Sequence, residues 1–411
     1  MLNFFLTNRR WIGAGLVLTF ASSFGQTWFI SLFAGEIKAA HGLSDGDWGG
    51  IYTLATLGSA ALLLARGSWA DTVPPHRLAP MIALAFAGVA AGMALHQALW
   101  LLVLLVFGLR FCGQGMMGHI AMTAMGRWFV ASRGRAVAVA SLGYALGEMV
   151  LPPLVVLATG LIGWRETWGV VAVLLVLGLA PFFAWVLARP RVPQGAEATG
   201  EAPPGLAGRH WSRAEVLRSR VFLALMPGMV LPGFIGTVAV FHQVHLGETK
   251  GWALIEMAPA FMPYAAIAIV TSLATGMIAD RFGPERLLPV YLLPLAAGCV
   301  VIALGPGIAA WYLGLATMGL AMGMANTLWG ALLPRIWGTR HLGSVRALAM
   351  TVMVIATAVG PGITGVLIDA GIGFADQLLV MAALCVAQAA LFLPESRRLA
   401  AGLVRPSAPL P

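Results

Sequence analysis

Long runs of apolar residues, separated by short polar gaps, occupy almost the whole chain. An α-helix needs about 20 apolar residues to cross a bilayer, and most of the runs reach that length. Polar and apolar residues do not alternate within them, which excludes transmembrane β-strands. The pattern predicts twelve helical spans, numbered one to twelve in chain order: 11–34, 47–66, 78–96, 98–126, 136–160, 165–188, 222–246, 253–279, 286–304, 307–333, 344–368 and 375–394.

The longest polar stretch, residues 189–219, leaves six predicted spans on either side. Its middle is rich in Ala, Gly, Glu and Pro, which is typical of a flexible linker. Ser212 and Glu215 form a capping-box pattern and predict a short helix before span seven. We therefore predict an N-terminal six-helix bundle, a cytoplasmic linker with a short helix, a C-terminal six-helix bundle and a cytoplasmic tail, at 1–188, 189–219, 220–396 and 397–411.

One short motif occurs in both halves of the chain, each time in a polar gap between two spans. The copy from Gly276 to Arg286 is complete, and the copy from Gly67 to Arg77 is altered. The glycine, aspartate and arginine of the two copies are separated by 209 residues. The same separation relates Trp128 to Trp337, Gly134 to Gly343 and Pro152 to Pro361. Such a repeat indicates two parallel six-helix halves, an organisation typical of transporters.

Composition and charge support a membrane protein. Hydrophobic residues make up 59% of the chain and charged residues 10%, whereas soluble domains carry about 25% charged residues. With the N-terminus inside, only Lys38, Arg165 and Lys250 fall on the outer side. The net charge of +9 therefore reports topology, and its dispersion argues against a nucleic-acid partner. We expect a bacterial-type inner-membrane protein with both termini cytoplasmic and no cleaved signal peptide.

The repeated motif Gly-x-x-x-Asp-Arg-x-Gly-x-x-Arg resembles a signature of the major facilitator superfamily of transporters. Arg110 in span four, followed by Gln114, is similar to a second signature of that family. The run from Arg133 to Ala136, with Gly143 after it, is similar to bacterial monocarboxylate- and anion-porter branches. The resemblance implies an all-α membrane fold of twelve transmembrane helices in two pseudo-symmetric bundles. It also implies a monomer that works by alternating access without a cofactor or metal.

The resemblance further implies a gating role for the motif loops. Glycines allow helices to approach closely, and an aspartate can lie at the positive N-terminus of a neighbouring helix. Asp280 would act at the start of span five and Asp71 at the start of span eleven, although Thr72 replaces the motif arginine in the first copy. A tight turn that only caps helices is the alternative. The predicted gating residues are Gly67, Asp71, Arg77, Gly276, Asp280, Arg281, Gly283 and Arg286.

Two charged residues fall near the middle of predicted spans, where ionisable groups are costly and usually functional. Arg110 and Glu148 each lie about 12 residues into spans four and five, which places them near mid-membrane. We predict an ion pair that substrate capture breaks, so that Glu148 takes up a proton. A permanent structural pair is the alternative. Gln114 shares a helix face with Arg110, and Tyr144 shares one with Glu148.

Other polar residues in the spans are weaker candidates. Gln26 in span one and Asn326 in span ten are predicted to contact the solute. His242 and His245, near the outer end of span seven, are expected to be solvated at the membrane interface. His119 lies on the other side of span four from Arg110 and is expected to serve another surface.

The predicted function is secondary active transport of a small organic solute. A monocarboxylate or other organic anion moved with protons is the first choice, because Arg110 is the single central cation; a neutral solute stays open. A proton-antiporting exporter is an alternative, as is a non-transporting sensor or scaffold. We expect no enzyme, because the sequence carries no nucleotide-binding Walker motif and no metal-ligand cluster. The expected partners are the solute, a proton or other coupling ion, and lipid.

Overall fold

The computed structural model describes residues 2–129, 133–188 and 204–404; the side chains of residues 2–6, 71, 133–134 and 404 lie outside that description. Within these ranges the chain is helical, which confirms the predicted fold class. The first part of the predicted linker, residues 189–203, lies outside the described residues. The short helix before span seven is present at Arg213–Arg218, and Ser212 and Glu215 form its capping box as predicted.

Helices of the first half follow the predicted spans, with several interruptions. Span one comprises Leu2–Ala21, a 3₁₀ turn at Ser22–Gly25 and a short helix at Thr27–Ser31, and Ala34–His41 follows it. Spans two, three and five are Asp45–Arg66, Pro75–Leu95 and Arg133–Ile162. Span four contains a π-helix at Arg110–Met117 between Leu99–Leu109 and Gly118–Trp128. Span six contains a π-helix at Leu174–Leu179 between Trp164–Val173 and Ala180–Val186.

Helices of the second half match the remaining six predictions. Span seven is Arg220–Phe241, followed by Gln243–Lys250, and span eight is Leu254–Met257 continued by Phe261–Phe282. Span nine is Leu293–Leu304, which starts later than predicted because Pro284–Leu287 forms a 3₁₀ turn. Spans ten, eleven and twelve are Ala309–Trp337, Leu342–Asp369 and Phe374–Val404.

The helices at the twelve predicted spans differ in length and in mean hydropathy. Nine helices of the described residues are long and apolar enough to cross a membrane, and a tenth crossing results if the pair Thr7–Ser31 and Ala34–His41, bent by 63°, counts as one. Leu293–Leu304 is apolar but short. Ala309–Trp337 is long, but its mean hydropathy is lower than that of the nine helices. Each predicted span coincides with a helix, so a count of twelve is compatible with the structure.

The chain forms two compact units. The first comprises Met1–Ala198, Val240–His245 and Pro361–Asp369, and the second comprises the remaining residues. The first unit therefore includes two short segments from the second half of the sequence.

Close helix contacts in the first unit are made by glycines, the usual solution where lipid supplies no hydrophobic driving force. Span five packs against span one at Gly143, where a Cβ would overlap the Leu16 carbonyl and the Thr19 hydroxyl. Thr19 also donates a hydrogen bond of 2.6 Å to the carbonyl of Ala140. Spans three and four meet at Gly108, where a Cβ would lie 2.7 Å from Val89.

The second unit repeats these pairings with helices six positions later. Span eleven packs against span seven at Gly360, where a Cβ would lie 2.8 Å from Val238. Spans nine and ten meet at Gly298, where a Cβ would lie 2.8 Å from the carbonyl oxygen of Gly314. Within its own unit, each half thus pairs its first helix with its fifth and its third with its fourth, as an internal repeat requires.

Candidate functional site

Span one is broken in its middle. The 3₁₀ turn Ser22–Gly25 ends at Gln26, whose extended backbone (φ −78°, ψ 154°) separates it from the short helix Thr27–Ser31. The amides of Phe29 and Ile30 both donate to the carbonyl of Gln26. The carbonyl of Gly25 is therefore released from the helical pattern and available to another donor.

The broken segment of span one crosses span four at two glycines. A Cβ at Gly25 would overlap the Leu109 carbonyl oxygen and lie 2.8 Å from the Cα of Gly113. The π-helix Arg110–Met117 lies on the other side of this contact. Two irregular helix segments thus face each other, an arrangement that recurs at functional sites in membrane proteins.

Arg110 fills the space beside this crossing and is 1% exposed. Its Nη1 donates to the carbonyl oxygen of Gly25 at 3.0 Å and to Oγ1 of Thr27 at 3.4 Å. Its guanidinium carbon lies 5.2 Å from the ring centre of Tyr52, and the Tyr52 hydroxyl is 2.5 Å from Oγ1 of Thr27. These contacts of the Arg110 guanidinium are with neutral oxygens and with an aromatic face.

The predicted ion pair of Arg110 with Glu148 is not formed among the described residues. Arg110 is held instead by span one and span two, whose polar groups reach it across the Gly25 contact. Glu148 is half-buried and follows Gly147, where a Cβ would overlap the hydroxyl of Ser23 in span one. The two charged residues therefore have separate environments in this structure, and any role of Glu148 stays a prediction.

The other predicted site residues of the first unit lie in different surroundings. Gln26 donates to the Ser22 hydroxyl at 2.9 Å, and a solute contact of Gln26 stays a prediction. Gln114 is exposed although Arg110 is buried. Tyr144 places its hydroxyl against span four, where a Cβ on Gly118 would overlap it. Sequence reasoning missed Thr27 and Tyr52, because no local pattern marks a residue that becomes polar lining only through tertiary packing.

In the second unit, Asn326 is exposed on span ten. The adjoining face packs tightly on span eight, because a Cβ at Gly319 would lie 3.2 Å from the Cα of Tyr264. Beside Asn326, the hydroxyl of Thr327 lies 2.7 Å from that of Ser272 in span eight. The glycines of this face thus serve helix packing, and a solute contact of Asn326 stays a prediction.

The first motif copy forms the end of span two and a sharp turn. Gly67 accepts a 3.0 Å hydrogen bond from Nε2 of His119, which agrees with the expectation that His119 serves a surface away from Arg110. The turn ends at Pro75, the first residue of span three, and Arg77 is exposed. The side chain of Asp71 lies outside the described residues, so its gating role stays a prediction.

The second motif copy ends span eight. Gly276 lies within the helix near Thr327, and Gly283 (φ +88°) terminates it in a conformation that favours glycine. Asp280, Arg281 and Arg286 are exposed, and their gating role stays a prediction.

A buried acid in the same loop was missed by the sequence analysis. Glu285 is 3% exposed and receives a 3.3 Å charge-assisted hydrogen bond from Arg335 near the end of span ten. The motif leaves the position before its last arginine variable, so no local pattern marks Glu285. The pair ties span ten to the loop that ends span eight.

A second polar cluster of the first unit lies at the start of span two, and we call it the outer cluster. The carboxylate of Asp45 lies 2.9 Å from Nζ of Lys38 and 2.9 Å from Nδ1 of His245. Nδ1 of His242 lies 4.0 Å from the same carboxylate, and its Nε2 is 2.8 Å from the hydroxyl of Thr364. His242 is 2% exposed, so the expected interfacial solvation of this residue is wrong.

The outer cluster also includes a helix cap supplied by span eleven. Asp369 accepts hydrogen bonds from the Ser44 hydroxyl at 2.7 Å and from the Gly46 amide at 2.9 Å. Ser44 is the N-cap of span two and forms a capping box with Asp47. A carboxylate at this position interacts favourably with the helix dipole and satisfies an amide that the helix leaves free.

The fold and these sites define a multi-span helical membrane protein of transporter architecture. A model of the Major Facilitator Superfamily matches residues 15–361, and the chain belongs to this family. The predicted family and fold class are thereby confirmed.

Solved structures of transporters have the same fold. A bacterial homologue of the human lysosomal transporter Spinster, in an inward-facing and unoccupied conformation, is 17% identical, with a TM-score of 0.73 over 95% of this chain and 97% of that one. The nucleoside transporter NupG is 13% identical, with a TM-score of 0.70 over 93% and 98%. A Thermoproteus tenax protein, described as an uncharacterized 38 kDa protein in the 23S RNA operon, is 27% identical over 406 residues, 97% of each chain.

Proposed function

We propose that this transporter carries a small organic monoanion and that Arg110 binds its carboxylate. The observation that carries the proposal is a buried guanidinium whose hydrogen bonds to Gly25 and Thr27 go to neutral oxygens. Nε of Arg110 is buried and has no hydrogen-bond partner among the described residues. An uncompensated cation inside a bilayer is costly, and an incoming anion would relieve that cost.

The chemistry of exchange favours a carboxylate over the present partners. A hydrogen bond between a guanidinium and a carboxylate is roughly twice as strong as one between neutral groups, and the planar guanidinium binds both carboxylate oxygens. A carboxylate that replaces the Gly25 carbonyl would therefore gain binding energy and free that carbonyl at the break of span one. Solute binding is in this way coupled to the shape of span one, as alternating access requires.

Binding to the purified protein tests the solute class without assuming a direction of transport. We expect small monocarboxylates to raise the melting temperature of the unmodified protein, and the amides of the same acids to leave it unchanged. The response should disappear in Arg110→Gln and persist in Arg340→Gln, which removes an exposed arginine. Amides as effective as acids would instead point to a neutral solute, and a full response in Arg110→Gln would refute the site.

We further propose that transport is coupled to protons through Glu148. The carboxyl group lies on span five beside the Gly147 contact with span one, the helix whose break Arg110 holds. Because Arg110 and Glu148 are not paired in this structure, protonation would follow rearrangement of the helices instead of the opening of an ion pair. The support is the position of an acid within a membrane span, where such residues mark proton pathways.

Transport by proteoliposomes tests this coupling. Glu148→Gln should abolish accumulation driven by a pH gradient and retain solute exchange across the membrane, because exchange needs no net proton movement. Glu248→Gln, which neutralises an exposed carboxyl group outside the predicted site, is the matched control and should leave both activities unchanged. Unchanged gradient-driven accumulation in Glu148→Gln would exclude the proposed role, and accumulation against an opposite gradient would favour an exporter.

A further inference from the structure

We propose that His242 is a proton-binding site of the outer cluster, and that its protonation releases the segment Val240–His245 from the start of span two and from Pro361–Asp369. This role of His242 does not depend on which solute is carried, because the hydrogen bonds of Arg110 described above go to Gly25 and Thr27, outside the outer cluster. All the groups involved lie in the first compact unit.

The segment Val240–His245 is held in place by side chains along its length. Ser31 donates to the carbonyl of Val240 at 2.7 Å and accepts from Nε2 of Gln243 at 2.9 Å. Phe241 stacks on Trp48, with ring centres 5.8 Å apart and planes at 16°. Release of the segment would therefore expose Ser31, which is fully buried in this structure.

Span eleven covers the other side of His242. Thr364 donates to the carbonyl of Pro361 at 3.3 Å, and its oxygen lies 2.8 Å from Nε2 of His242. With the Thr364 proton directed at Pro361, Nε2 of His242 is the donor in this contact, in the neutral and in the protonated ring alike. Gly49 in span two packs directly on the carbonyl of Pro361. His242 is 2% exposed, so an imidazolium here would have little contact with water.

The charges that face His242 oppose each other. Asp45 at the start of span two favours an imidazolium, whereas Lys38 and His245 on either side of that carboxylate disfavour one. Asp369 is already engaged by Ser44 and Gly46. Burial is the largest effect and outweighs the attraction of the Asp45 carboxylate, so the pKa of His242 falls to about 4.

The direction of the response follows from this shift. In the packed cluster His242 stays neutral down to about pH 4, whereas a released, solvated histidine takes up a proton near pH 6.5. Acid therefore binds to the released form and favours it. Between about pH 7.5 and about pH 5.5, the equilibrium constant for release should rise about tenfold. On the predicted topology this cluster faces outside, so external acid would promote opening on the side where a proton-driven importer loads.

Thiol accessibility measures the release directly and needs no substrate. Ser31→Cys places a reporter beneath the segment, and Ala40→Cys, at an exposed position of the helix Ala34–His41, provides a reference thiol. Both are labelled with a charged, membrane-impermeant methanethiosulfonate in the full-length protein in nanodiscs. The unmodified chain, whose cysteines are buried, gives the background. The ratio of the two rates removes the intrinsic pH dependence of thiolate formation.

We expect this ratio to rise about tenfold from about pH 7.5 to about pH 5.5, and to stay constant when His242→Gln is added, since glutamine keeps a donor for Thr364 but does not titrate. His341→Gln, which removes an exposed histidine, should leave the rise intact. A constant ratio with His242 present overturns the proposal, even if His242→Gln fails to fold. An equal rise in His242→Gln also overturns it, because another group would then be the sensor.

Discussion

Replacing Gly25 with alanine would force apart the two helices that meet beside Arg110. A Cβ at Gly25 would overlap the carbonyl oxygen of Leu109 and lie 2.8 Å from the Cα of Gly113. Both are backbone atoms, which cannot move aside as a flexible side chain does. The helices would have to separate by about 1 Å to restore ordinary contacts of about 3.5 Å.

Two losses follow from that separation. Overpacking of a tight helix contact costs about 1–3 kcal/mol. The hydrogen bond from Arg110 to the Gly25 carbonyl, now 3.0 Å, would lengthen beyond bonding distance, and a bond to a charged group contributes about 1.5–3 kcal/mol. We therefore expect Gly25→Ala to lower the free energy of unfolding by about 2.5–6 kcal/mol.

A matched control exists on the same helix. Gly13 has no atom within 4 Å of the position where a Cβ would stand, so Gly13→Ala should be neutral or stabilising by up to about 1 kcal/mol through helix propensity. Unfolding in mixed micelles with increasing SDS, followed by tryptophan fluorescence, compares the two variants. Equal stabilities within about 1 kcal/mol would show that the crossing is not tight and would refute the reasoning.

Three further changes have expected outcomes that the same unfolding assay checks. Tyr52→Phe removes the hydroxyl and should lower the free energy of unfolding by about 1 kcal/mol. Tyr52→Leu should lower it more, because the aromatic face below the Arg110 guanidinium is also removed. Equal decreases would argue against the cation–π contact. Arg335→Gln should lose about 1–3 kcal/mol by leaving the buried acid Glu285 without its charged partner, whereas Arg286→Gln, at an exposed position, should change little. His96 directly follows span three, and burial lowers its pKa. The stability that the neutral His96 contributes is therefore complete above about pH 6.5 and is lost as the pH falls below that value. His96→Gln should flatten this part of the pH dependence of unfolding, and an unchanged dependence would assign it to another group.

The sequence predicted the helices well because their signal is local. A run of apolar residues long enough to cross a bilayer leaves the backbone no alternative to helical hydrogen bonding. Span nine was placed too early, because the 3₁₀ turn at Pro284–Leu287 occupies part of the apolar run. The capping box at Ser212 was also predictable, since its two residues lie within one turn.

The surroundings of the buried charges were less predictable. Helical periodicity places Arg110 and Glu148 at similar depth, but it does not show which neighbouring helix is closest. The Gly25 contact decides that question in favour of span one, and the π-helix at Arg110–Met117 alters the rotation of the residues that follow. Burial of His242 depends on Asp45 and Thr364, which are distant in sequence, so position near a span end was a poor guide.

The π-helix of span four has a consequence for insertions and deletions in this region. A π turn closes its hydrogen bonds one residue later than an α turn, so Arg110–Met117 accommodates an additional residue without lengthening the hydrogen-bonded path. Removing one residue there would leave a regular α-helix, and the flanking segments Leu99–Leu109 and Gly118–Trp128 would keep nearly their present relative rotation. The same deletion in a regular α-helical stretch would turn them by about 100°. The contacts of Arg110 with Gly25 and of His119 with Gly67 should therefore survive a one-residue deletion within Arg110–Met117 and be separated by a one-residue deletion within Leu99–Leu109 or Gly118–Trp128.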